Sequence, residues 1–257
     1  MTLYTTGLAL SGGGARGIAH IGIIQALEEN QIYPGIIAGT SIGSIVGALY
    51  AAGMTTNQML EFASESSLLK IYRPRFTFTG LTDLSYLREK LLEFIPHDSF
   101  EQLQRPFYAT VCNLHTGQVQ FVNSGSLSKA VEASCSIPMV FDPVEINDQH
   151  YVDGGLMNNL PVESIRDKAK FIIGVDVMPQ VPLQNASFKI AHQVALRCFE
   201  MAIWSNSRIS RELCDILIEP TGLFNYHIME FSKVQELYEI GYDAAQDIMP
   251  ELKAIFR

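Results

Sequence analysis

The stretch Ile36–Gly53, IIAGTSIGSIVGALYAAG, constrains this chain more than any other. A short apolar run ends in Gly39-Thr40-Ser41-Ile42-Gly43, and an apolar segment with helical spacing follows as far as Gly53. G-x-S-x-G between a strand and a helix is the pattern of a nucleophile elbow, a sharp turn that lifts a serine hydroxyl clear of a sheet. Such a turn brings together the residues two before and two after the serine, so both must be small. Gly39 and Gly43 meet that need. The following helix aims its free amides and the positive end of its dipole at the serine, which favours negative charge there. The same stretch also has features of a membrane span. No charged residue lies between Glu29 and Glu61, Gly35, Gly39, Gly43 and Gly47 recur every fourth position, and about 20 apolar residues cross a bilayer. Against a span stand Pro34 at its start, Thr40, Ser41 and Ser44 within it, and acidic rather than basic flanks.

A second glycine-rich segment precedes it. Leu8-Ala9-Leu10 reads as a short strand that runs into Ser11-Gly12-Gly13-Gly14-Ala15-Arg16-Gly17. Ile21, Ile24 and Leu27 then give a helical period over Ile18–Glu29. Gly12, Gly14 and Gly17 satisfy G-x-G-x-x-G, the dinucleotide fingerprint, but that reading needs an acid at the end of the second strand to hold a ribose. Here that strand ends in Gly39-Thr40-Ser41, and no Gly-Lys-Ser/Thr of a phosphate loop exists. Successive glycines have another use, because their uncovered N–H groups can point at an oxyanion. Two strands joined by a helix lie parallel in one sheet, with their C-terminal ends at the same edge. Topology therefore sets an oxyanion loop at Gly12–Gly14 beside a nucleophile at Ser41. Arg16 reads either as a structural tie to the sheet or a carboxylate, or as a contact for an anionic head group.

A serine hydroxyl needs an adjacent base. Of the six histidines, His192 or His227 would close a triad in the order Ser…Asp…His, but neither closely follows a strand, and His192 falls inside an expected helix. His20, early in the first helix, reads as a packing residue. Asp153 is the better candidate. It ends an expected hairpin strand, and Gly154 and Gly155 let the backbone turn tightly against another segment. A buried aspartate needs a hydrogen bond, which Ser41 would supply, and desolvation raises its pKa toward that of a useful base. Taken alone, Asp-Gly-Gly reads as a turn; its occurrence together with the glycine loop and the elbow favours Asp153 as the base.

The remaining chain alternates helices and strands. Helices are expected over about Thr56–Ser64, Ser85–Phe94, Ser126–Ser134, Ser187–Arg211 and Phe231–Ile248. Hairpins are expected at Pro106–Val122 and Val144–Val152, a buried parallel strand at Lys170–Val177, and a last strand at Cys214–Ile218. The stretch Leu68–Thr82, with its arginines and aromatics, reads as a surface loop or a flap, and Pro179–Pro182 as a proline-rich loop. At 257 residues with no repeat or linker, the organisation expected is one domain over 1–257. Apolar residues make up 47% of the chain and mean hydropathy is +0.14, so either the core is large or apolar surface is kept for a lipid-like ligand. A net charge of −9 argues against a nucleic-acid partner. Cys112, Cys135, Cys198 and Cys214 are widely spaced without C-x-x-C, so no metal or redox motif is expected. No basic segment precedes the first apolar one, so no signal peptide is expected and a reducing, cytoplasmic setting fits.

Four motifs occur together: G-G-G-x-R-G at 12–17, G-T-S-x-G-S at 39–44, A-S-x-x-x-P at 133–138, and D-G-G with N-N-x-P-V at 153–162. As a set they resemble the patatin-like phospholipase family over roughly residues 7–177, and its bacterial members resemble the chain most closely in length. The resemblance implies a three-layer α/β/α fold around a central, mainly parallel sheet. It implies a Ser–Asp dyad without histidine, with Ser41 as nucleophile, Asp153 as base and the amides of Gly12, Gly13 and Gly14 as oxyanion hole. Arg16, Gly17, Gly39, Gly43, Gly154 and Gly155 would support those motifs. Asp-Gly-Gly stands where many members have Asp-Gly-Ala. The implied activity is hydrolysis of acyl esters of phospholipids, lysophospholipids or neutral lipids, with no metal and no cofactor. A lipid substrate would bring the protein into transient contact with a membrane. A protein that binds acyl groups on the same fold with little turnover is the alternative.

Overall fold

A computed structural model describes residues 3–65, 83–178, 180 and 189–255. The stretch 68–82, and all but residue 180 of Pro179–Pro182, lie outside the described residues.

The described strands are β1 (Tyr4–Leu10), β2 (Ile36–Thr40), β3 (Phe107–Asn113), β4 (Gln118–Val122), β5 (Val144–Ile146), β6 (Gln149–Asp153), β7 (Ala169–Val175) and β8 (Ile216–Ile218). They form one sheet in the order β5-β6-β3-β2-β1-β7-β8, with β4 paired to β3. Neighbours from β3 through β2, β1 and β7 to β8 run parallel, and the β3–β4, β3–β6 and β5–β6 pairs are antiparallel. The helices are α1 (Ala19–Glu29), α2 (Ile42–Ala51), α3 (Thr56–Glu65), α4 (Ser85–Phe94), α5 (Leu127–Ser134), α6 (Ala191–Glu212) and α7 (Val234–Ile255). Both hairpins and the mainly parallel sheet flanked by helices agree with the expectation.

Alternation along the central strands builds two cores. Leu8, Leu10 and Ile37 face the larger one, with side chains of α1, α2 and α7. Ala9, Ile36 and Ala38 face the other, against Leu160, Val162 and Ile165 of the short turns that follow β6. The stretch Ile36–Gly53 is thus a five-residue strand and a ten-residue helix, too short to span a bilayer. Among the described residues no helix is long and apolar enough to cross a membrane.

One helix runs further than its sequence suggests. A helix is expected to stop at Ile248, ahead of Pro250, because proline lacks an N–H and clashes with the preceding turn. Instead α7 continues to Ile255 with Pro250 inside it. Met249 and Leu252 on either side of the proline are buried, and their packing outweighs the missing hydrogen bond.

The register of β3 positions the site. β4 pairs with residues 109–113 of β3, so it occupies one edge of that strand. β2 pairs with residues 107–110 and β6 with 111–113. Both overlap β4, so both lie on the opposite edge, one beyond the other. Thr40 sits against Thr110 and Asp153 against Val111. The carboxylate therefore takes the place on β3 that Ser41 would occupy had β2 run one residue further.

Candidate active site

The backbone turns at Ser41 with φ 54° and ψ −126°. That conformation is rare outside glycine, and such a residue typically costs about 1–3 kcal/mol. Surrounding contacts enforce it. A Cβ at Gly39 would lie 2.2 Å from the carbonyl oxygen of Gly43, and one at Gly43 would lie 2.4 Å from that of Leu10. Both positions must be glycine for α2 to rest directly on β1 and β2. The Ser41 N–H donates to the hydroxyl of Ser134 at 2.9 Å. Its carbonyl accepts from the Ser44 hydroxyl at 2.6 Å and the Ser44 N–H at 2.8 Å.

Asp153 ends β6 and is 1% exposed. Burial raises its pKa from 3.8 to about 7, opposed by hydrogen bonds from the Ser41 hydroxyl and the Gly155 N–H. The Gly155 N–H lies 2.7 Å from Oδ1. The backbone N–H of Asp153 donates to Ser136 at 2.9 Å. Ala133–Pro138 thus holds both partners, Ser41 through Ser134 and Asp153 through Ser136. Between them Cys135 lies buried against Ser41 and Ser44, and its thiol is pushed far up by desolvation and by the charge of Asp153. Sequence alone marks this segment only as a helix end and a family motif, without showing that it braces both residues.

The glycine loop lies beside them. Gly12, Gly13 and Gly14 line the same pocket as Ser41 and Asp153. The Gly12 N–H already donates to the carbonyl of Asn159 at 3.2 Å. Among the described residues no acceptor faces the N–H of Gly13 or Gly14. Arg16 is buried and ties the loop down. Its Nε donates to the carbonyl of Tyr226 at 2.8 Å, and its Nη1 meets Met178 Sδ at 3.7 Å. Burial lowers its pKa, with Glu200 acting the other way. Ala15 N–H adds a 2.7 Å bond to Ile228. The loop is therefore braced by residues 226–228, from the third of the chain that carries no motif. The glycines of the G-x-G-x-x-G pattern meet close neighbours rather than leaving a phosphate cradle: a Cβ at Gly14 would sit 2.2 Å from Ile228 O, and one at Gly17 2.2 Å from Ile42 Cγ2.

These groups open into a pocket that is partly continuous with solvent. Its walls are apolar. Ile42 and Ile45 come from α2, Leu84 and Leu87 from the α4 region, and Leu196, Phe199 and Ile203 from α6. Among the described residues no histidine lines it. His20 is fully buried, its Nε2–H donating to the Ser11 carbonyl at 2.9 Å, and desolvation lowers its pKa to about 4. It is a neutral packing residue beneath the glycine loop, as its place early in the helix suggests. His227 is exposed and accepts from the Met229 N–H at 3.2 Å. The side chain of His192 lies outside the described residues.

The sequence profile of the patatin-like phospholipase family matches residues 8–165. The chain belongs to the patatin-like phospholipase family. Among similar proteins are a lysophospholipase, NTE1, of Meyerozyma guilliermondii and patatin-like phospholipase domain-containing protein 6 of Homo sapiens. The first is 26% identical over 290 residues, covering 96% of this chain and 19% of that protein. The second is 27% identical over 282 residues, covering 94% and 20%. An uncharacterized NTE family protein of Mycobacterium tuberculosis is 34% identical over 164 residues, covering 62% of this chain and 44% of its own. The chain thus spans less than half the length of these relatives. Among solved structures, VipD from Legionella pneumophila is similar over 97% of this chain and 67% of its own, with a TM-score of 0.63 and 13% identity, a likeness of fold. The patatin-like match ends before α6, whose side chains wall the pocket.

Proposed function

We propose that this patatin-like chain hydrolyses acyl esters of lipids, phospholipids or lysophospholipids, through a Ser41–Asp153 dyad. The observation that supports this reading is that Ser41 and the buried carboxylate of Asp153 line the same apolar pocket. A carboxylate that titrates near 7 is both ionised and basic enough to take a proton at neutral pH. Asp153 removes the proton from Ser41 as the hydroxyl oxygen attacks the ester carbonyl. The carbonyl oxygen gains negative charge in front of the Gly13 and Gly14 amides and the N-terminus of α2, which stabilise it. Collapse of the tetrahedral adduct releases the alcohol, which takes the proton from Asp153, and leaves Ser41 acylated. Water then enters and attacks the acyl carbonyl as Asp153 takes its proton. Collapse breaks the bond to Ser41 Oγ, which takes the proton back from Asp153 as the fatty acid leaves. The apolar walls hold the acyl chain and keep bulk water from the reacting bond.

Residues 1–257 act as one domain in this reading, since the loop, the elbow and the carboxylate lean on the last third of the chain. A lipid substrate brings the protein to a membrane surface from the cytoplasm. The test is turnover of a p-nitrophenyl ester together with labelling by a fluorophosphonate. Both are expected in the native protein and neither in a folded Ser41→Ala variant. Full turnover by that variant overturns the proposal, and a native protein without turnover or adduct does the same.

A further inference from the structure

Two asparagines connect the halves of this site. Asn159 belongs to the N-N-x-P-V run after Asp153, and Asn206 lies on α6. Asn159 is fully buried and holds Gly12 from two directions. Its carbonyl accepts the Gly12 N–H at 3.2 Å, and its Nδ2 donates to the Gly12 carbonyl at 3.3 Å. The same carbonyl accepts from the Ser11 hydroxyl at 3.1 Å. The carbonyl of Gly12 and the N–H of Gly13 belong to one peptide, and no peptide bond is cis among the described residues. The two groups therefore point in opposite directions. Two donors on the oxygen fix the peptide plane, and with it the direction in which Gly13 presents its N–H.

Asn206 makes the second connection. Its Oδ1 accepts the backbone N–H of Asn159 at 2.9 Å, and its Nδ2 donates to the carbonyl of Gly155 at 2.9 Å. Gly155 in turn donates its own N–H to Asp153. One side-chain amide thus touches the segment that orients the oxyanion loop and the segment that holds the carboxylate. Both ends of the amide are used. Aspartate, nearly the same shape, keeps the acceptor and loses the donor.

We infer that Asn206 and Asn159 are positioning residues that fix the Gly13 amide relative to the Asp153 carboxylate, a role that rests on the hydrolase reading of this site. Asn206→Asp and Asn159→Ser test it, each measured for kcat, KM, pH profile and thermal unfolding. Misplacement of reacting groups by a fraction of an ångström lowers kcat about 10- to 100-fold, and KM stays within about twofold because the acyl walls are untouched. The two variants differ in their pH profiles. Asn206→Asp frees Gly155, weakens its N–H bond to Asp153, and moves the acid limb to higher pH. Asn159→Ser leaves Gly155 in place, so kcat falls and the acid limb does not move. A merely structural role would lower stability without separating the two profiles.

A folded Asn206→Asp protein with native kcat and native acid limb overturns the inference. Should that variant not fold, Asn159→Ser decides: a lower kcat at an unchanged limb supports it, and native kcat overturns it. If the native protein neither turns over an ester nor accepts a fluorophosphonate, the hydrolase reading fails and the positioning role with it. If the native protein is active and both variants are unaffected, the positioning role fails alone.

Discussion

The backbone N–H of Ser41 donates to the hydroxyl of Ser134, 93 positions away in the chain and 2.9 Å away in space. It is the only side-chain acceptor described for that amide, and both residues are buried. Ser134→Ala leaves the N–H without a partner, which typically costs about 1–3 kcal/mol. It also loosens the turn that aims the Ser41 hydroxyl. The variant should unfold at lower urea concentration and show reduced kcat, and a variant with native values for both would mean that the bond is dispensable.

Ser41 itself stores strain at φ 54°. Ser41→Ala and Ser41→Gly should both be inactive, but only glycine accepts this backbone without a Cβ penalty. The glycine variant should therefore be more stable than the alanine variant by about 1 kcal/mol. Urea midpoints measured side by side decide it, and equal midpoints would show that the turn is unstrained.

In the proposed mechanism the acid limb of activity follows Asp153. Its base form is populated above its folded pKa of about 7. Accordingly kcat/KM should rise with pH through about 7 and level off above it. A limb near 4, the ordinary range for aspartate, would assign the base to another group.

Stability should move the other way over the same range. The folded pKa of Asp153 lies above its unfolded value, so between about 4 and 7 the native state binds more protons than the unfolded state. Its contribution to stability therefore falls as pH rises through that window. Three pKa units correspond to on the order of 4 kcal/mol. Asp153→Asn keeps an acceptor for Gly155 and removes the buried charge, so it should be more stable than the native protein at pH 8, with the gain shrinking toward pH 4. Melting curves at both pH values test this, and a gain equal at the two would remove ionisation as the cause.

In the proposed reaction the α6 wall limits how long a chain the pocket takes. Ile203 is 5% exposed and lines it together with Phe199 and Leu196. Ile203→Trp should leave turnover of an acetyl ester near native and lower kcat/KM for a long-chain ester by about tenfold, as steric exclusion from an apolar pocket does. Equal loss on both substrates would indicate damage to the reacting groups instead.

Much of this was readable in the sequence because it is local. Gly39 of the elbow, the strand before it, both hairpins and the Asp-Gly-Gly turn rest on interactions within a few residues. Long-range contacts were not readable. That the Gly12 amide is occupied depends on Asn159, 147 positions on, and no spacing rule predicts a partner at that distance. Leu196, Phe199 and Ile203 have helical spacing, which shows that one face of α6 is buried but not that it lines a cavity rather than the core. Asn206 carries no motif, and its role appears only once α6 is seen beside Gly155. Pro250 misleads a local reading, because packing of Met249 and Leu252 outweighs the loss of one helical hydrogen bond.

The register of β3 decides which changes in chain length the site tolerates. Ser41 and Asp153 are separated by two long segments, one from α2 to the start of β3 and one from the end of β3 to β6, and neither sets the distance between them. Insertions in either segment leave the pair where it is, since Thr110 and Val111 hold the two strand ends a single step apart. An insertion or deletion within the seven residues of β3 has the opposite effect. It slides β2 against β6 by about 3.3 Å and turns side chains to the other face. Tolerance of length variation is thus concentrated in the loops, and intolerance in a strand that supplies no reacting group.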